Sequence, residues 1–261
     1  MKVLSWDEFR FSYLPPRPMA ATVGAFDGLH IGHRFLIEKL LAHGKGRVTA
    51  AFTFRQNPKA ILKRGEYAGN LMSLDQRLAG LASLGLDIVV LIDFSANFSK
   101  LAGRDFLSIL EERGDLAYIA VGSDFCCGSG CDVNAEGLKA FFEGRGIEAE
   151  LVSPVMLNGQ AVSSTRIRRA LVEGDFDAAE AMLGGPYQFD ISGLRPEASQ
   201  EGEFRFERPA GMVLPERGVY GALIDDSGRR ALLRLSPESI AIVPVDGQAL
   251  GQASFIQLTK D

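Results

Sequence analysis

Two histidines three residues apart, His30 and His33, sit in the stretch Thr22-Val23-Gly24-Ala25-Phe26-Asp27-Gly28-Leu29-His30-Ile31-Gly32-His33, where a strand-like run gives way to a helical one. At that spacing both imidazoles face the same way on a first helical turn. Gly24, Gly28 and Gly32 leave room for a phosphate chain to approach the backbone, and the N–H groups of a helix start point toward it. Two donors then converge on one anion. Transfer of a nucleotidyl group needs this equipment. The acceptor phosphate is already a nucleophile, so the barrier lies in positioning and in charge on the α-phosphate and departing pyrophosphate. No covalent enzyme intermediate is required, and a bound Mg²⁺ would share the neutralisation. The plainer alternatives are that the histidines cap or pack a helix, or bind a metal with Asp27. Only three histidines occur in the chain, and two of them fall in this glycine-rich turn, which favours the phosphate site.

A second candidate is Ser163-Ser164-Thr165-Arg166-Ile167-Arg168-Arg169, between the short apolar run Ala161-Val162 and the helical Ala170-Leu171-Val172. Ser163 or Ser164 is a natural N-cap, so hydroxyls and backbone N–H groups again meet a helix start. The arginines add fixed positive charge suited to phosphate. Alone, the segment reads as a capped helix with a solvated basic face. Its weight comes from the histidine turn.

The elements that must position these residues follow an alternating pattern. Met19 to Gly24, Val48 to Phe54, Ile88 to Ile92, Ala117 to Gly122 and Ile147 to Val152 are strand candidates separated by segments of helical period, the pattern of βα units around a parallel sheet. The clearest helix runs from Ser73 to Leu84, with Leu74, Leu78, Leu81 and Leu84 on one face, a Ser73/Gln76 capping box and a stop at Gly85. After Leu183 the texture changes to short strand-like runs such as Gly218 to Ile224 and Ala231 to Leu235, joined by the turn Asp225-Asp226-Ser227-Gly228. The sequence therefore predicts an α/β domain over residues 1–185 and a small antiparallel β-barrel or sheet over 186–261.

Composition bounds the rest. With 46% hydrophobic and 23% charged residues the chain is of ordinary globular type. No apolar run approaches the roughly 18 residues that span a bilayer, and Met1 to Phe11 lacks the apolar centre of a signal peptide, so a cytoplasmic protein without membrane partners is expected. A net charge of -5 argues against a nucleic-acid surface. Cys126, Cys127 and Cys131 are too few and too close to staple a fold and read as reduced thiols.

Taken together, Gly-x-Phe-Asp-Gly-x-His-x-Gly-His and, some 130 residues later, Ser-Ser-Thr-x-Ile-Arg resemble the adenylyltransferase module of the bacterial FAD synthetase family, the bifunctional riboflavin kinases/FMN adenylyltransferases. Thr53-Phe54 through Asn57-Pro58, Leu71-Met72-Ser73-Leu74, Phe94 through Phe98-Ser99, Gly122-Ser123-Asp124-Phe125 and Gly174-Asp175-Phe176 through Leu183-Gly184 look like further landmarks of that family in the same order. The resemblance implies a Rossmann-like nucleotidyltransferase domain, a parallel sheet with helices on both faces, followed by a barrel-like module. The implied reaction is ATP plus FMN giving FAD and pyrophosphate with Mg²⁺. It implies that Gly24, Ala25, Phe26, Asp27, Gly28, His30, Gly32 and His33 hold ATP, with Ser163, Ser164, Thr165 and Arg168 clasping its phosphates from the other side. His30, His33 and Arg168 would be catalytic. Phe54, Asn57, Asp124 and Phe125 would face FMN, and Asp124 the metal.

Two departures bear on the acceptor side. The family has Pro-His-Pro where this chain has Gln56-Asn57-Pro58, and a Phe-Arg-Phe-Gly loop with basic followers where this chain has Phe125-Cys126-Cys127-Gly128-Ser129-Gly130-Cys131. The cysteines read as packing or a loop rather than a metal or redox site. In the C-terminal module, Pro186-Tyr187, Ile191-Ser192-Gly193 and Leu214-Pro215-Glu216-Arg217-Gly218-Val219-Tyr220 resemble the flavokinase barrel. Gly202 to Gly211 stands where that barrel carries Gly-Phe-Pro-Thr-Ala-Asn, so a degenerate module without riboflavin kinase activity is expected. Three other readings compete. They are a relative acting on another phosphorylated acceptor such as phosphopantetheine or nicotinate mononucleotide, a catalytically silent flavin-binding or regulatory protein, and an aminoacyl-tRNA synthetase. The last is opposed by the short acidic chain without a lysine-rich second signature, and the silent protein by the two intact phosphate motifs.

Overall fold

The computed structural model describes residues 1–62, 67–95, 97–195, 202–209, 211–251 and 253–259; Ala210 of the Gly202 to Gly211 segment lies outside them. Packing groups the described residues of spans 1–65 and 77–161 into one compact unit, and those of spans 66–76 and 162–261 into another.

The first unit is built on six parallel strands. In chain order its elements are β1 (Lys2–Ser5), α1 (Trp6–Phe11), β2 (Met19–Val23), α2 (Ile31–Ala42), β3 (Val48–Phe54), α3 (Pro58–Leu62), α4 (Leu74–Ser83, from Arg77 onward), β4 (Ile88–Ile92), α5 (Gly103–Gly114), β5 (Leu116–Gly122), β6 (Cys126–Cys127), β7 (Val133–Asn134), α6 (Ala135–Phe142), β8 (Glu148–Val152), β9 (Met156–Leu157) and β10 (Gln160–Ala161). The sheet order is β1-β4-β3-β2-β5-β8. Val, Ile, Ala and Phe fill the central strands because a parallel sheet covered on both faces buries both sets of side chains. All five residues of β2 and all five of β4 are buried. On one face Ala21, Val23, Ala50, Phe52, Val90 and Ile92 pack with Trp6 and Phe9 of α1, Phe106, Leu107 and Leu110 of α5, and Leu138 and Phe142 of α6. Against β2 and β5 lies α2, burying Leu36, Ile37 and Leu40. Chain order reverses between β2 and β5, so the end of β2, where His30 follows, is the topological switch point at which such sheets bind ligands.

The five strands expected in this unit appear within a residue of their expected bounds, Val48–Phe54 and Ile88–Ile92 without change. The segment Met1 to Phe11, which the sequence only clears of being a signal peptide, forms β1 and α1. Ser5 and Glu8 close a capping box there, and Trp6 and Phe9 are buried. At the start of α4, the expected box is present as Ser73 N–H donating to Gln76 Oε1 at 2.9 Å and Gln76 N–H to Ser73 Oγ at 3.1 Å.

The second unit contains α7 (Ser164–Glu173), α8 (Phe176–Leu183) and six antiparallel strands, β11 (Gln188–Asp190), β12 (Phe204–Glu207), β13 (Gly218–Ile224), β14 (Arg229–Leu235), β15 (Ser239–Pro244) and β16 (Phe255–Leu258), in the order β11-β16-β13-β14-β15-β12. The expected β13–β14 hairpin forms, with Gly218 opposite Leu235 and Ile224 opposite Arg229. Along β14, Ala231, Leu233 and Leu235 are buried while Arg230, Leu232 and Arg234 are exposed, the period of a sheet with one wet face. The guanidinium of Arg208 donates to the carbonyls of Leu214, Pro215, Glu216 and Ser236 at 2.8–3.2 Å, gathering the loops at one end of this sheet. No helix among the described residues is long and apolar enough to cross a membrane.

Candidate functional site

The turn from β2 into α2 is strained. Phe26, Gly28 and Leu29 have φ of 49°, 88° and 39°, so two of three left-handed positions carry a side chain that disfavours that region. Such strain persists only where surroundings over-determine it, and it clusters at functional sites. Phe26 is fully buried, Asp27 and Leu29 are 3% and 4% exposed, and His30 is 6% exposed. Thr53 Oγ donates to the Ala25 carbonyl at 3.1 Å, and Arg34 Nε to that of Leu29 at 3.0 Å.

His30 is the N-cap of α2, its Nδ1 accepting from the His33 backbone N–H at 3.3 Å. That bond assigns the proton of a neutral His30 to Nε2. The two imidazoles stack, with centroids 3.7 Å apart and planes 15° from parallel, and the Phe26 ring meets His33 edge-on at 5.3 Å. Burial first, and the neighbouring His30 second, hold the His33 imidazole well below its usual pKa. Its Nδ1 is sealed from solvent and meets no hydrogen-bond partner among the described residues. His33 therefore presents a neutral imidazole rather than a full charge. A Cβ on Gly24 would stand 3.1 Å from the Phe26 ring, and one on Gly32 would stand 3.2 Å from the His30 ring. The space that spacing alone reserves for a phosphate chain is thus shared with the turn's own rings.

One contributor went unread in the sequence. Arg77, 6% exposed on α4, donates from Nη1 to the Ala25 carbonyl at 2.8 Å and from Nη2 to the carbonyls of Phe54 at 2.7 Å and Arg55 at 3.3 Å. Its signal was a cation between Leu74 and Leu81 on the apolar stripe of the helix.

The expected acceptor-side residues lie at strand ends of the same unit. Phe54 ends β3 and meets Phe94 and Phe98 edge-on at 5.9 and 6.2 Å. Buried Asn57 caps α3, its Oδ1 accepting from Lys59 N–H at 3.0 Å. Asp124 is exposed just beyond β5, its carboxylate folded back over Gly122, and Phe125 packs partly against the core. The three cysteines are not all reduced thiols, contrary to expectation. Cys126 and Cys131 are joined as a disulfide with Cα atoms 5.2 Å apart, because the Gly128–Gly130 turn folds one back beside the other. Cys127 is the free thiol, pushed up to about 12 by burial and, secondarily, by Asp132. The loop is pinned to the start of α5, where Asp132 accepts from Gly103 N–H at 3.0 Å and Ser129 N–H donates to Leu101 at 3.0 Å.

In the second unit Ser163 is the N-cap of α7, its Oγ accepting from Arg166 N–H at 3.3 Å, and Ser164 and Thr165 open the helix. Arg168 is 7% exposed. Its Nε donates to the Gly69 carbonyl at 2.7 Å, its Nη2 to Tyr67 Oη at 3.3 Å, and its guanidinium lies 5.0 Å from the Tyr67 ring centre.

Residues 14–166 match the family model described as FAD synthetase. A bifunctional riboflavin kinase/FMN adenylyltransferase of Listeria monocytogenes is 32% identical over 171 residues, 63% of this chain and 53% of that protein. One of Escherichia coli is 28% identical over 229 residues, 85% of this chain and 72% of that protein. A Listeria monocytogenes FAD synthetase is 28% identical over 206 residues, 78% of this chain and 80% of the other. The chain therefore spans about half the length of the first of these relatives. Among solved structures, one titled a macrolide-efflux protein from Streptococcus pneumoniae superposes with a TM-score of 0.82 at 22% identity, covering 99% of this chain and 89% of that one, a likeness of fold.

Proposed function

The chain belongs to the FAD synthetase family, and from that premise we propose that it transfers AMP from ATP to FMN, giving FAD and pyrophosphate. The observation that carries this reading is the strained, buried turn that holds stacked His30 and His33 at the switch point of the sheet. A phosphate oxygen of FMN attacks the α-phosphorus of ATP in line, the bond to the bridging oxygen breaks, and the electron pair leaves on pyrophosphate. His30 donates from Nε2 to a phosphate oxygen as charge builds there, and the first-turn N–H groups of α2 add their dipole. His33, held neutral by burial, backs His30 through the stacked ring pair. Gly24 to Gly28 and Gly32 line the same nucleotide site. Ser163, Ser164, Thr165 and Arg168 are assigned to the same nucleotide by the likeness of their segment to the family motif, and Phe54, Asn57, Asp124 and Phe125 to the flavin side.

Among the described residues no group of three or more His, Cys, Asp or Glu is placed to hold a metal ion. Asp124 is the carboxylate that would hold a Mg²⁺ brought in with ATP. When bound, the ion neutralises charge on the phosphate oxygens. We assign residues 186–261 to a degenerate riboflavin-kinase-like module without kinase activity, and the protein to the cytoplasm with ATP and FMN as its small-molecule partners. Incubation with ATP, Mg²⁺ and either FMN or riboflavin, followed by chromatography of the flavins, tests both parts. FAD from FMN with no FMN from riboflavin is expected. FMN appearing from riboflavin overturns the module assignment, and no FAD from FMN overturns the transferase reading.

A further inference from the structure

A strained turn needs a cause outside itself, and α4 meets it at two points. Arg77 reaches the Ala25 carbonyl, one residue before the first left-handed position, while also holding the carbonyls that close β3. One helical turn further on, Gly80 faces Leu29, the last left-handed position. A Cβ there would stand 2.4 Å from Leu29 Cδ1, and Leu29 is 4% exposed. Glycine inside a helix costs about 1 kcal/mol relative to alanine, so its presence at the centre of α4 has a packing cause, and Leu29 supplies it. The two contacts bracket Phe26 to Leu29, the residues that deliver His30 to its capping position.

We infer that α4 is a brace for the histidine turn, with Arg77 as a positioning residue acting through the Ala25 carbonyl and Gly80 acting through Leu29. Neither side chain needs to touch substrate. The brace rests on the adenylyl-transfer reading only for its kinetic consequence; its structural consequence is separate. A guanidinium is the right group because one rigid fork donates to several carbonyls at once, which an ammonium cannot match.

The test compares Arg77→Met, Arg77→Lys and Gly80→Ala with the native chain in kcat and KM for ATP, thermal stability and the imidazole proton resonances. The chain has three histidines, and His43, whose ring stacks on Tyr118 at 4.0 Å, is the internal reference. Arg77→Met is expected to lower kcat by about a hundredfold with KM within about threefold, the size expected for a misplacement of order 1 Å. His30 and His33 resonances should move and His43 stay. Arg77→Lys should recover at least about tenfold of the lost kcat, since the charge and a donating group remain although the planar fork is lost. Gly80→Ala should lower kcat by about tenfold with little net change in thermal stability, because alanine's gain in the helix offsets the cost of displacing Leu29. Should Arg77→Met fail to fold, Gly80→Ala and Arg77→Lys carry the same decision. Unmoved His30 and His33 resonances in folded variants, or a raised KM at native kcat, overturn the brace. Shifted resonances in a protein that makes no FAD leave the brace standing and remove the FMN reading instead.

Discussion

Both predicted phosphate motifs sit at the head of a helix, yet they are built differently. Ser163 caps α7 from ordinary extended backbone, with φ of -153°, and Arg168 in the next turn is committed to Gly69 and Tyr67. The α2 cap is a histidine that follows left-handed residues at three of the four positions Phe26 to Leu29, with a second imidazole, His33, stacked on it whose buried Nδ1 meets no hydrogen-bond partner among the described residues. A fold that needed only a helix start would use the cheaper device, as α7 does. The difference separates a segment explicable by folding alone from one whose strain folding alone does not require.

The largest expected effect breaks the comparison on the histidine side. His30→Ala and His33→Ala should each lower kcat by about 10² to 10³-fold, since each removes a donor aimed at developing charge. Steady-state turnover of FMN to FAD measures it, and native turnover in both variants would move the phosphate site elsewhere. On the other side, Arg168→Met should appear first as lost stability, about 2 to 3 kcal/mol in a urea titration, because a buried charged donor leaves the Gly69 carbonyl unpaired. A loss of turnover with native stability would instead assign Arg168 wholly to the nucleotide. Ser163→Ala should cost about 1 kcal/mol, an N-cap's worth, with a several-fold rise in KM for ATP.

The smallest effect is a pH dependence. The folded pKa of His33 lies below the unfolded value of 6.5, so the unfolded chain binds the proton first. The stabilising contribution of neutral His33 is complete above about pH 6.5 and declines as pH falls through and below that value. Urea midpoints followed across this range should fall toward acid in the native chain and less steeply in His33→Ala.

How much of this was written in the sequence follows from the physics of each element. Runs such as Val48–Phe54 and Ile88–Ile92 are buried on both faces, so composition alone marks them, and the Ser73/Gln76 box is a local interaction with a local signature. The position of His30 at a helix head was legible for the same reason. Its stacking on His33 was not, because it depends on the left-handed turn before it. Arg77 reads as a flaw in an apolar stripe until β2 and β3 are beside it, since its partners are carbonyls 22 to 52 residues away. The Cys126–Cys131 pair is hidden in the sequence for a related reason: the turn at Gly128–Gly130, not the count of cysteines, brings the two sulfurs together.

Tracing one atom tests the central claim most directly. With ATP labelled at the α-phosphorus, the account predicts that FMN is converted to FAD carrying the label, that label at the γ-position leaves entirely in pyrophosphate, and that His33→Ala carries out neither at a comparable rate. Unlabelled FAD, or α-label recovered on the protein in place of FAD, would contradict direct adenylyl transfer at the histidine turn.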